Sequence, residues 1–440
     1  MSKSVGVVSL GCDKNRVDTE RMLSYLKAYG FDITAEPADA DVIIVNTCGF
    51  IDSAKQEGID TILEMAEYKS DKCKALVVTG CLSQRYGSSL ADGLPEIDIM
   101  AGTDCYHLLP AAIDDKLARG GDRVILTNDI DSRHKAEGRV LTTPCHYAYL
   151  KIAEGCDNRC TYCAIPSIRG KYTSRSMDEL VDEAKALIDE YGVRELIVVA
   201  QDITRYGIDL YGRASLIDLL ERLSALSVDW IRLLYLYPEQ LDDRLIDYIA
   251  SSDKICKYVD VPLQHVDDMV LKRMGRRVSG AQIRALISKL HAAGITVRST
   301  FIVGFPGESE EQFNTLIDFL KEAKLDACGF FAYSCEEGTA AARLDLQLSE
   351  DVKQDRLRRA YAAQEEISAS AKRAMIGKRV EVIYEGIDYD AQAFVGRTRE
   401  QTPDVDGVTY FTSDKPVDVG NIYNVVITDT VGDDLIGEAL

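Results

Sequence analysis

The sequence predicts an α/β protein with an N-terminal doubly wound parallel sheet, a central partial (β/α) barrel and a small C-terminal all-β barrel. Apolar β-type runs alternate with helical patterns over 1–120, and six further strand–helix units follow over 142–374. Over 375–440 the pattern changes to short strands with turn residues between them. The polar stretch 121–141 is rich in helix and strand breakers and is predicted to be a linker.

In the N-terminal part, three apolar runs are predicted to be buried strands. They are VGVVSL (5–10), DVIIVNT (41–47) and ALVVTG (75–80). Helices are predicted from Val17 to Tyr29 and through Ile59 to Tyr68. Strands that are apolar at every position, with helices between them, indicate a parallel sheet covered on both faces.

The central part is predicted from a series of strands with helices between them. The strand candidates are KIAEG (151–155), ELIVVAQD (195–202), WIRLLYLYP (230–238), YVDVPLQ (258–264), TVRSTFIVGFPG (296–307) and ACGFFAYS (327–334). The helices include Asp178–Tyr191, Leu216–Leu226 and Ser279–Ala293. In such a barrel the active site lies at the carboxyl ends of the strands.

A charged helix from about Glu350 to Ile376 leads to the C-terminal part. The strands predicted there are RVEVIYEGI, AQAFVGRT, GVTYFTS and NIYNVVITDTVG. Their even spacing and turn residues favour a small closed barrel.

The composition argues against several classes of protein. The 440 residues carry a net charge of −21, which disfavours a basic nucleic-acid surface. No apolar run approaches the roughly 20 residues that span a bilayer, and no signal peptide is recognised. Twelve cysteines are too few for a disulfide-stapled secreted domain and are more typical of ligands, nucleophiles or packing groups. We therefore expect a cytoplasmic protein without a membrane partner.

The strongest local signal is the C-x-x-x-C-x-x-C spacing of Cys156, Cys160 and Cys163, after the first predicted barrel strand. Three thiolates at this spacing can ligate three irons of a cubane cluster and leave the fourth iron open to a substrate. Chance spacing and a structural zinc are the alternatives. Zinc would need a fourth ligand, and the nearest histidine, His146, lies upstream across the strand.

The stretch GCDNRCTYCAIP resembles the signature of radical S-adenosylmethionine (SAM) enzymes, and the surrounding strand–helix series resembles their partial barrel. The resemblance implies a 4Fe–4S cluster on the three cysteines, with SAM chelated at the open iron and cleaved to a 5′-deoxyadenosyl radical. It also implies that Tyr162 lies near the adenine and that Gly304, in FIVGFPGE, packs on SAM. A plain β-turn is an equally good interpretation of Gly304.

Polar residues at predicted strand ends are candidates for the barrel mouth. Gln201 and Asp202 close one strand, and Gln264 and His265 close another. Arg298 is a candidate for the SAM carboxylate because a guanidinium forks onto carboxylates, although an ordinary surface ion pair is an equal alternative. A single histidine such as His265 is more often a hydrogen-bonded core residue than a catalyst.

A second group of cysteines is Cys12, Cys48 and Cys81, each directly beyond a predicted strand of the N-terminal sheet. Because the carboxyl ends of parallel strands share one edge, we expect these three side chains to converge. One such cysteine would be taken as a buried apolar residue, but three at equivalent strand ends favour a second cluster. The remaining cysteines lack this arrangement and are expected to pack: Cys73, Cys105, Cys145, Cys256, Cys328 and Cys335.

The stretches SLGCDKNRVDTERM, NTCGFIDSAKQE and TGCLSQRY resemble the methylthiotransferases, which are radical SAM enzymes with an auxiliary 4Fe–4S cluster in an N-terminal domain. The C-terminal barrel resembles the TRAM domain of the same enzymes, so the likeness covers nearly the whole chain. It implies two 4Fe–4S clusters, of which the auxiliary one supplies or carries sulfur. It further implies one SAM as methyl donor, a second SAM as radical source, and an electron donor such as flavodoxin or ferredoxin.

Two branches of that family differ in substrate: an adenosine of transfer RNA, or the β-carbon of an aspartate in small-subunit ribosomal protein twelve. SLGCDKN with VDTERM resembles the ribosomal branch, although that branch usually has Pro where this chain has Asp13. Residues 376–440 carry five Lys or Arg against thirteen Asp or Glu, a net charge of −8. Such a barrel should repel transfer RNA and attract a basic protein, although solvation of the protein is an alternative explanation of the excess charge.

The leading prediction is therefore a methylthiotransferase acting on the ribosomal protein. A transfer-RNA adenosine methylthiotransferase is the first alternative. A non-enzymatic zinc-binding adaptor, with zinc at Cys156, Cys160 and Cys163 and the β barrel as a binding module, is the alternative of another class.

Overall fold

The computed structural model of the protein describes residues 3–126 and 138–440, and its chain divides into two units. The first unit contains the chain up to Thr142, Glu154–Thr173 and Glu336–Thr339. The second contains Thr143–Ala153, Ser174–Cys335 and Ala340–Leu440. The greater part of the predicted linker, 127–137, lies outside the described residues. Among the residues described, no helix is both long enough and apolar enough to cross a bilayer.

The first unit is built on a parallel sheet. Its strands are β1 (Ser4–Ser9), β2 (Asp32–Thr34), β3 (Val42–Thr47), β4 (Ala75–Gly80), β5 (Ile99–Ala101) and β6 (Val124–Leu126). Its helices are α1 (Asp13–Tyr29), α2 (Asp52–Glu67), α3 (Cys81–Gly93), α4 (Leu109–Arg119) and α5 (Ile165–Arg169). The strand order is β2-β1-β3-β4-β5-β6, with every neighbouring pair parallel. The order reverses at β1, so a topological switch point lies between β1 and β3.

The sheet is covered on both faces, as the apolar runs predict. In β3, Val42 and Ile44 belong to the core on the side of α1 and α4, whereas Ile43 and Val45 belong to the core on the side of α2 and α3. Successive side chains of a strand point to opposite faces, so both alternating sets must be apolar. The predicted doubly wound sheet is confirmed.

The second unit carries the predicted partial barrel. Its sheet strands are β7 (Tyr147–Lys151), β10 (Glu195–Val199), β11 (Trp230–Leu233), β12 (Ile255–Asp260), β13 (Thr296–Val303) and β14 (Ala327–Ala332). Two short strands, β8 (Ala153–Glu154) and β9 (Thr173–Ser174), each contain a chain position at which the two units divide. Its helices are α6 (Met177–Tyr191), α7 (Ile208–Tyr211), α8 (Leu216–Ser224), α9 (Asp243–Ser251), α10 (Asp268–Arg273), α11 (Gly280–Ala292), α12 (Glu310–Ala323) and α13 (Glu350–Arg373). The six sheet strands follow the order β14-β13-β12-β11-β10-β7, all parallel, which confirms an open (β/α) barrel.

The C-terminal strands close into a barrel. They are β15 (Arg379–Asp388), β16 (Ala393–Thr398), β17 (Thr409–Thr412), β18 (Ile422–Val431) and β19 (Asp434–Ala439), in the order β15-β16-β17-β19-β18. Its core includes Val382, Tyr384, Phe411, Val425 and Leu435. Short 3-10 helices lie at Pro37–Asp39, Tyr68–Ser70, Tyr106–Leu108, Ile203–Arg205, Pro238–Gln240 and Ala341–Arg343.

Several boundaries differ from the sequence prediction. The first barrel strand is β7, which ends at Lys151, where KIAEG was expected to begin; the buried run Tyr147–Lys151 pairs with β10 instead. The strand β6 lies inside the predicted linker and extends the sheet beside β5. The fifth barrel strand, β19, was not predicted.

A buried ion-pair network joins the two parts of the second unit. Glu195, at the start of β10, lies 2.6 Å from Nε of Arg232 in β11 and 2.6 Å from Nη2 of Arg397 in β16. All three side chains are buried. Burial alone would raise the pKa of Glu195, but the two guanidinium groups lower it to about 2.

Candidate metal centre

The first three cysteines lie at neighbouring strand ends of the parallel sheet. Cys12 follows β1 and caps the N-terminus of α1, Cys48 directly follows β3, and Cys81 directly follows β4 and begins α3. Because β1, β3 and β4 are adjacent and parallel, their carboxyl ends meet at one edge, beside the switch point.

Two glycines allow the cysteine-bearing loops to approach each other. Gly11 has a φ of +88°, and a Cβ on it would lie 2.8 Å from Cβ of Cys48. A Cβ on Gly49 would lie 2.9 Å from the carbonyl carbon of Cys81. Side chains at either position would separate the loops, so the glycines are required for the close approach.

The pKa shifts of the thiols are consistent with this close approach of the three cysteines. Burial raises the pKa of Cys48 to about 12, and the neighbouring thiols of Cys81 and Cys12 contribute to that increase. Burial also raises the pKa of Cys81, while the guanidinium of Arg169 opposes the shift. The structure thus brings Cys12, Cys48 and Cys81 together.

Asn15 links the three loops through one buried amide. Its Nδ2 donates to the carbonyl of Leu10 at 3.1 Å and to the carbonyl of Thr47 at 3.0 Å. Its Oδ1 lies 3.6 Å from Sγ of Cys81. Leu10 and Thr47 lie just before Cys12 and Cys48, so this side chain contacts all three cysteine loops.

The other three cysteines lie on the loop that precedes α5, within the same unit. Cys156 and Cys160 are buried, and the backbone N–H of Cys163 donates to the carbonyl of Cys160 at 3.1 Å. Burial raises the pKa of the Cys163 thiol, and the thiols of Cys160 and Cys156 contribute. The C-x-x-x-C-x-x-C segment therefore gathers its three sulfur atoms on one loop.

Both groups of cysteines suit an iron–sulfur cluster in their donor chemistry. They present only soft sulfur donors, which are the ligands that such clusters take. In the part of the chain that the structure describes, no three Cys, His, Asp or Glu side chains converge on a position for a single metal ion. A cubane cluster does not require that convergence, because each thiolate binds a different iron.

Arg169 and Asn15 were not singled out from the sequence. Arg169 is the last residue of α5 and donates from Nε and Nη2 to Sγ of Cys81, at 3.3 and 3.2 Å. Its position six residues beyond Cys163 carries no recognisable pattern. Asn15, three residues beyond Cys12, stands in an unremarkable polar run, DKNR.

The predicted SAM-binding residues have the following positions. Tyr162 is half-buried between Cys160 and Cys163. Gln201 and Asp202 follow the carboxyl end of β10, and the buried Asp202 carboxylate accepts from the N–H of Thr204, 3.1 Å away. Gly304 follows β13, and a Cβ on it would lie 2.6 Å from Cγ of Lys353. Their roles toward SAM remain predictions.

The structure gives Arg298 a different partner from the SAM carboxylate. Arg298 lies in the amino half of β13, away from the carboxyl end that forms a barrel mouth. Its guanidinium lies 3.5 Å from Asp260 and 3.4 Å from Asp406. The structure therefore contains an ion pair at Arg298, but a largely buried one and not the surface pair that was the alternative.

His265 is a hydrogen-bonded core residue, as its isolation in the sequence indicated. It is fully buried, its Nδ1 accepts from the N–H of Asp267 at 3.0 Å, and its Nε2 lies 3.3 Å from Glu308. Among the other cysteines, Cys73, Cys105 and Cys256 are buried as expected, Cys328 is half-buried, and Cys145 and Cys335 are exposed rather than packed.

Comparison with known proteins first defines a class. Family models match along the chain: Uncharacterized protein family UPF0004 at residues 4–102, the Radical SAM superfamily at 150–320 and the TRAM domain at 376–440. The radical S-adenosylmethionine methyltransferase TsrM from Kitasatospora setae has a TM-score of 0.55 at 15% identity, over 76% of this chain and 75% of that chain. The S-adenosylmethionine radical enzyme OxsB has a TM-score of 0.51 at 13% identity, over 83% and 56% respectively. These two structures share the fold, which is that of radical SAM enzymes.

Relatives of similar length then identify the branch of the radical SAM superfamily to which the chain belongs. The chain is 48% identical to ribosomal protein uS12 methylthiotransferase RimO of Clostridium tetani, over 98% of this chain and 97% of that protein. It is 44% identical to RimO of Acetivibrio thermocellus, over 100% and 99%, and 47% identical to RimO of Desulforamulus reducens, over 99% of each. The chain belongs to the RimO-type methylthiotransferases of the radical SAM superfamily. Membership implies an enzyme that uses a 4Fe–4S cluster and SAM.

Proposed function

We propose that the chain adds a methylthio group to the β-carbon of an aspartate in small-subunit ribosomal protein uS12. One SAM would be the methyl donor and a second SAM the radical source. The observation that carries the proposal is similarity along the full length: relatives named uS12 methylthiotransferases are 44–48% identical over 98–100% of the chain.

We assign two 4Fe–4S clusters to the two groups of cysteines. Cys156, Cys160 and Cys163 would hold the cluster that binds SAM, because three thiolates leave one iron open. The strand-end cysteines Cys12, Cys48 and Cys81 would hold the auxiliary cluster. When bound, these groups supply the one-electron cleavage of SAM and the sulfur that is inserted. The protein's own part is to gather the thiolates and to exclude water around Cys81, Cys156 and Cys160, which are buried, whereas Cys12 is exposed.

For SAM itself we retain four candidates. Tyr162 lies between Cys160 and Cys163 in the chain and would face the adenine. Gln201 and Asp202 lie beyond β10, and Gly304 lies beyond β13, at the strand ends where such barrels bind ligands. Arg298 is not among them, because its guanidinium is paired with Asp260 and Asp406.

The acidic C-terminal barrel supports a basic protein substrate. A cavity on this barrel is lined by Asp388 and Asp390, by Ile387 and Tyr389, and by Glu385, which is itself paired with Arg397. Tyr389 is 82% exposed. Carboxylates beside an exposed aromatic ring fit Lys or Arg side chains, whereas they would repel the phosphates of transfer RNA.

The proposed reaction takes place in the cytoplasm and needs a low-potential one-electron donor, for which flavodoxin or ferredoxin would serve. Purified chain, SAM and a uS12 peptide with either reduced donor would test this. Product formed with dithionite but with neither protein donor would contradict the assignment of the donor.

The substrate is tested by mass spectrometry of uS12 and of transfer-RNA nucleosides from a strain that lacks the gene. We expect loss of the methylthio mass from uS12 and its return when the gene is restored. Loss from the nucleoside alone would instead identify a transfer-RNA enzyme.

The two clusters are tested by metal analysis after anaerobic reconstitution. We expect about eight irons per chain, about half of them after Ala replaces either cysteine trio. A variant with Ala at Cys73, Cys105 and Cys256 is the matched control and should retain the full content. Stoichiometric zinc without iron would contradict the enzyme and favour a zinc-binding adaptor.

A further inference from the structure

The buried guanidinium of Arg169 is aimed at a single sulfur atom. Nε lies 3.3 Å and Nη2 lies 3.2 Å from Sγ of Cys81, so two N–H groups of one planar fork converge on it. Arg169 is 4% exposed, and Cys81 is 6% exposed. Hydrogen bonds made by an ionised donor away from water are stronger than those made at a surface.

Other contacts fix the orientation of this fork. Nη1 lies 2.5 Å from Oδ2 of Asp18 and 3.2 Å from Oε2 of Glu154, and Nη2 also donates to Oδ1 of Asn15. A guanidinium keeps its proton in proteins, and this one is paired with the carboxylates of Asp18 and Glu154. The group is therefore a fixed positive charge.

A purely structural role does not require the contact with sulfur. A buried arginine that served only to pair Asp18 and Glu154 could use Nη1 alone, since both carboxylates contact that atom. The other two nitrogen atoms, Nε and Nη2, contact Cys81 and Asn15 instead. Both of these residues belong to the strand-end cysteine site.

The position of Arg169 in the chain gives the contact a further consequence. Arg169 ends α5, which begins two residues after Cys163, and Ala164 and Ile168 of the same segment pack against Cys81. The loop that carries one group of cysteines is thus joined, through a single helical turn, to a ligand of the other group.

We propose that Arg169 is a positioning residue that holds the Cys81 thiolate by two hydrogen bonds and raises the reduction potential of the cluster on Cys12, Cys48 and Cys81. The inference rests on the proposed two-cluster function. Reduction adds one electron, supplied by the external donor, to a cluster that already carries thiolate charge. Donors to a cluster sulfur stabilise the added negative charge, and such hydrogen bonds are among the factors that set cluster potentials.

The test uses the full chain with Cys156, Cys160 and Cys163 replaced by Ala, so that only the strand-end site can hold a cluster. The one-electron midpoint potential is measured by redox titration followed by electron paramagnetic resonance. In this background R169Q should shift the potential to a more negative value. R169K, which keeps the charge but not the planar fork, should recover part of that shift.

Iron release, as a second measurement, and D18N, as a matched variant, distinguish this role from a general loss of stability. Iron release to a chelator should be about 10–100-fold faster in R169Q. D18N removes a buried carboxylate next to Arg169 but leaves both donors to Cys81, so it should shift the potential to a less negative value. Opposite signs for R169Q and D18N are the result expected only if the guanidinium acts on the cluster.

Two results would overturn the inference, and they are distinguishable. If R169Q binds the parental amount of iron at the parental potential, Arg169 serves only to pair the two carboxylates. Equal shifts of the midpoint potential, of the same sign, in R169Q and D18N would likewise show that Arg169 only packs within the fold. If the background chain itself binds no iron, the proposed auxiliary cluster is wrong, and the inference falls with it.

Discussion

At the scale of single residues, the strand-end site of Cys12, Cys48 and Cys81 depends on a glycine, Gly11. Gly11 has a φ of +88°, and a Cβ there would lie 2.8 Å from Cβ of Cys48. Gly30, at the end of α1, has a φ of +100°, but nothing lies within 4 Å of the corresponding Cβ position. The two glycines share a backbone conformation and differ in what surrounds them. Substituting each of them therefore distinguishes the cost of backbone strain from the cost of a steric clash.

We expect G11A to destabilise the apo chain by about 2–5 kcal/mol, from left-handed strain together with overpacking. G30A should cost only the strain, about 1–2 kcal/mol. Urea unfolding measures both values. In the chain with Ala at Cys156, Cys160 and Cys163, G11A should also fail to retain iron because Cys48 is displaced. Equal iron content in the two variants would show that Gly11 does not shape the site.

The same scale shows where sequence reasoning reached its limit. Cys12, Cys48 and Cys81 could be grouped because strand order alone brings their loops to one edge of the sheet. Arg169 could not, because its contact with Cys81 depends on how the segment Glu154–Thr173 packs within the first unit. For Arg298 the sequence left SAM binding and an ion pair as equal alternatives, because it does not show where the fold places Asp260 and Asp406.

At the scale of elements, the first turn of α1 organises the edge of the sheet. Asn15 donates to carbonyl groups just beyond β1 and at the end of β3, and its own carbonyl accepts from Nδ2 of Asn46 at 3.0 Å. One helix terminus is thereby bonded to two neighbouring strands. The loops that carry Cys12 and Cys48 have their spacing set by this amide.

N15D tests that arrangement, because it keeps the shape and the acceptor oxygen but removes the two donors. A carboxylate oxygen would then face the carbonyl oxygens of Leu10 and Thr47. We expect a loss of about 2–4 kcal/mol in the free energy of unfolding and faster loss of iron from the strand-end site. The matched change N314D, at an exposed position of α12, should alter stability by no more than about 0.5 kcal/mol. Equal effects of the two changes would contradict the role of Asn15.

Element types were predicted more accurately than element ends. Long apolar runs such as β3 and β4 gave the parallel sheet directly, because every position is buried. The short strands β6 and β19 have only partly buried patterns and little apolar periodicity, and they form because neighbouring strands supply partners. Strands of this kind are determined by the sheet that they join rather than by their own residues.

At the scale of the whole molecule, a charged network stabilises the second unit. Glu195 joins β10 of the open barrel to β16 of the closed barrel through Arg232 and Arg397. Arg397 also lies 2.7 Å from Glu385, beside the acidic cavity. The barrel proposed to meet the substrate is therefore attached to the catalytic barrel by charges that are sensitive to pH.

The sign of the dependence follows from the lowered pKa of Glu195. Two guanidinium groups overcome the effect of burial and lower this pKa from 4.5 to about 2, so the ionised form stabilises the folded state above pH 4.5. That contribution, on the order of 3 kcal/mol, is lost as the pH falls from 4.5 toward 2.

We therefore expect E195Q to be less stable than the parent at neutral pH by about 3–5 kcal/mol, because two buried guanidinium groups lose their carboxylate. The difference between parent and variant should shrink as the pH falls from 4.5 toward 2, where Glu195 itself becomes protonated. Urea unfolding across this range measures the difference. E381Q removes the half-exposed partner of Arg399 and should cost no more than about 1 kcal/mol at neutral pH. A difference between parent and E195Q that stays constant with pH would mean that Glu195 is not the titrating group.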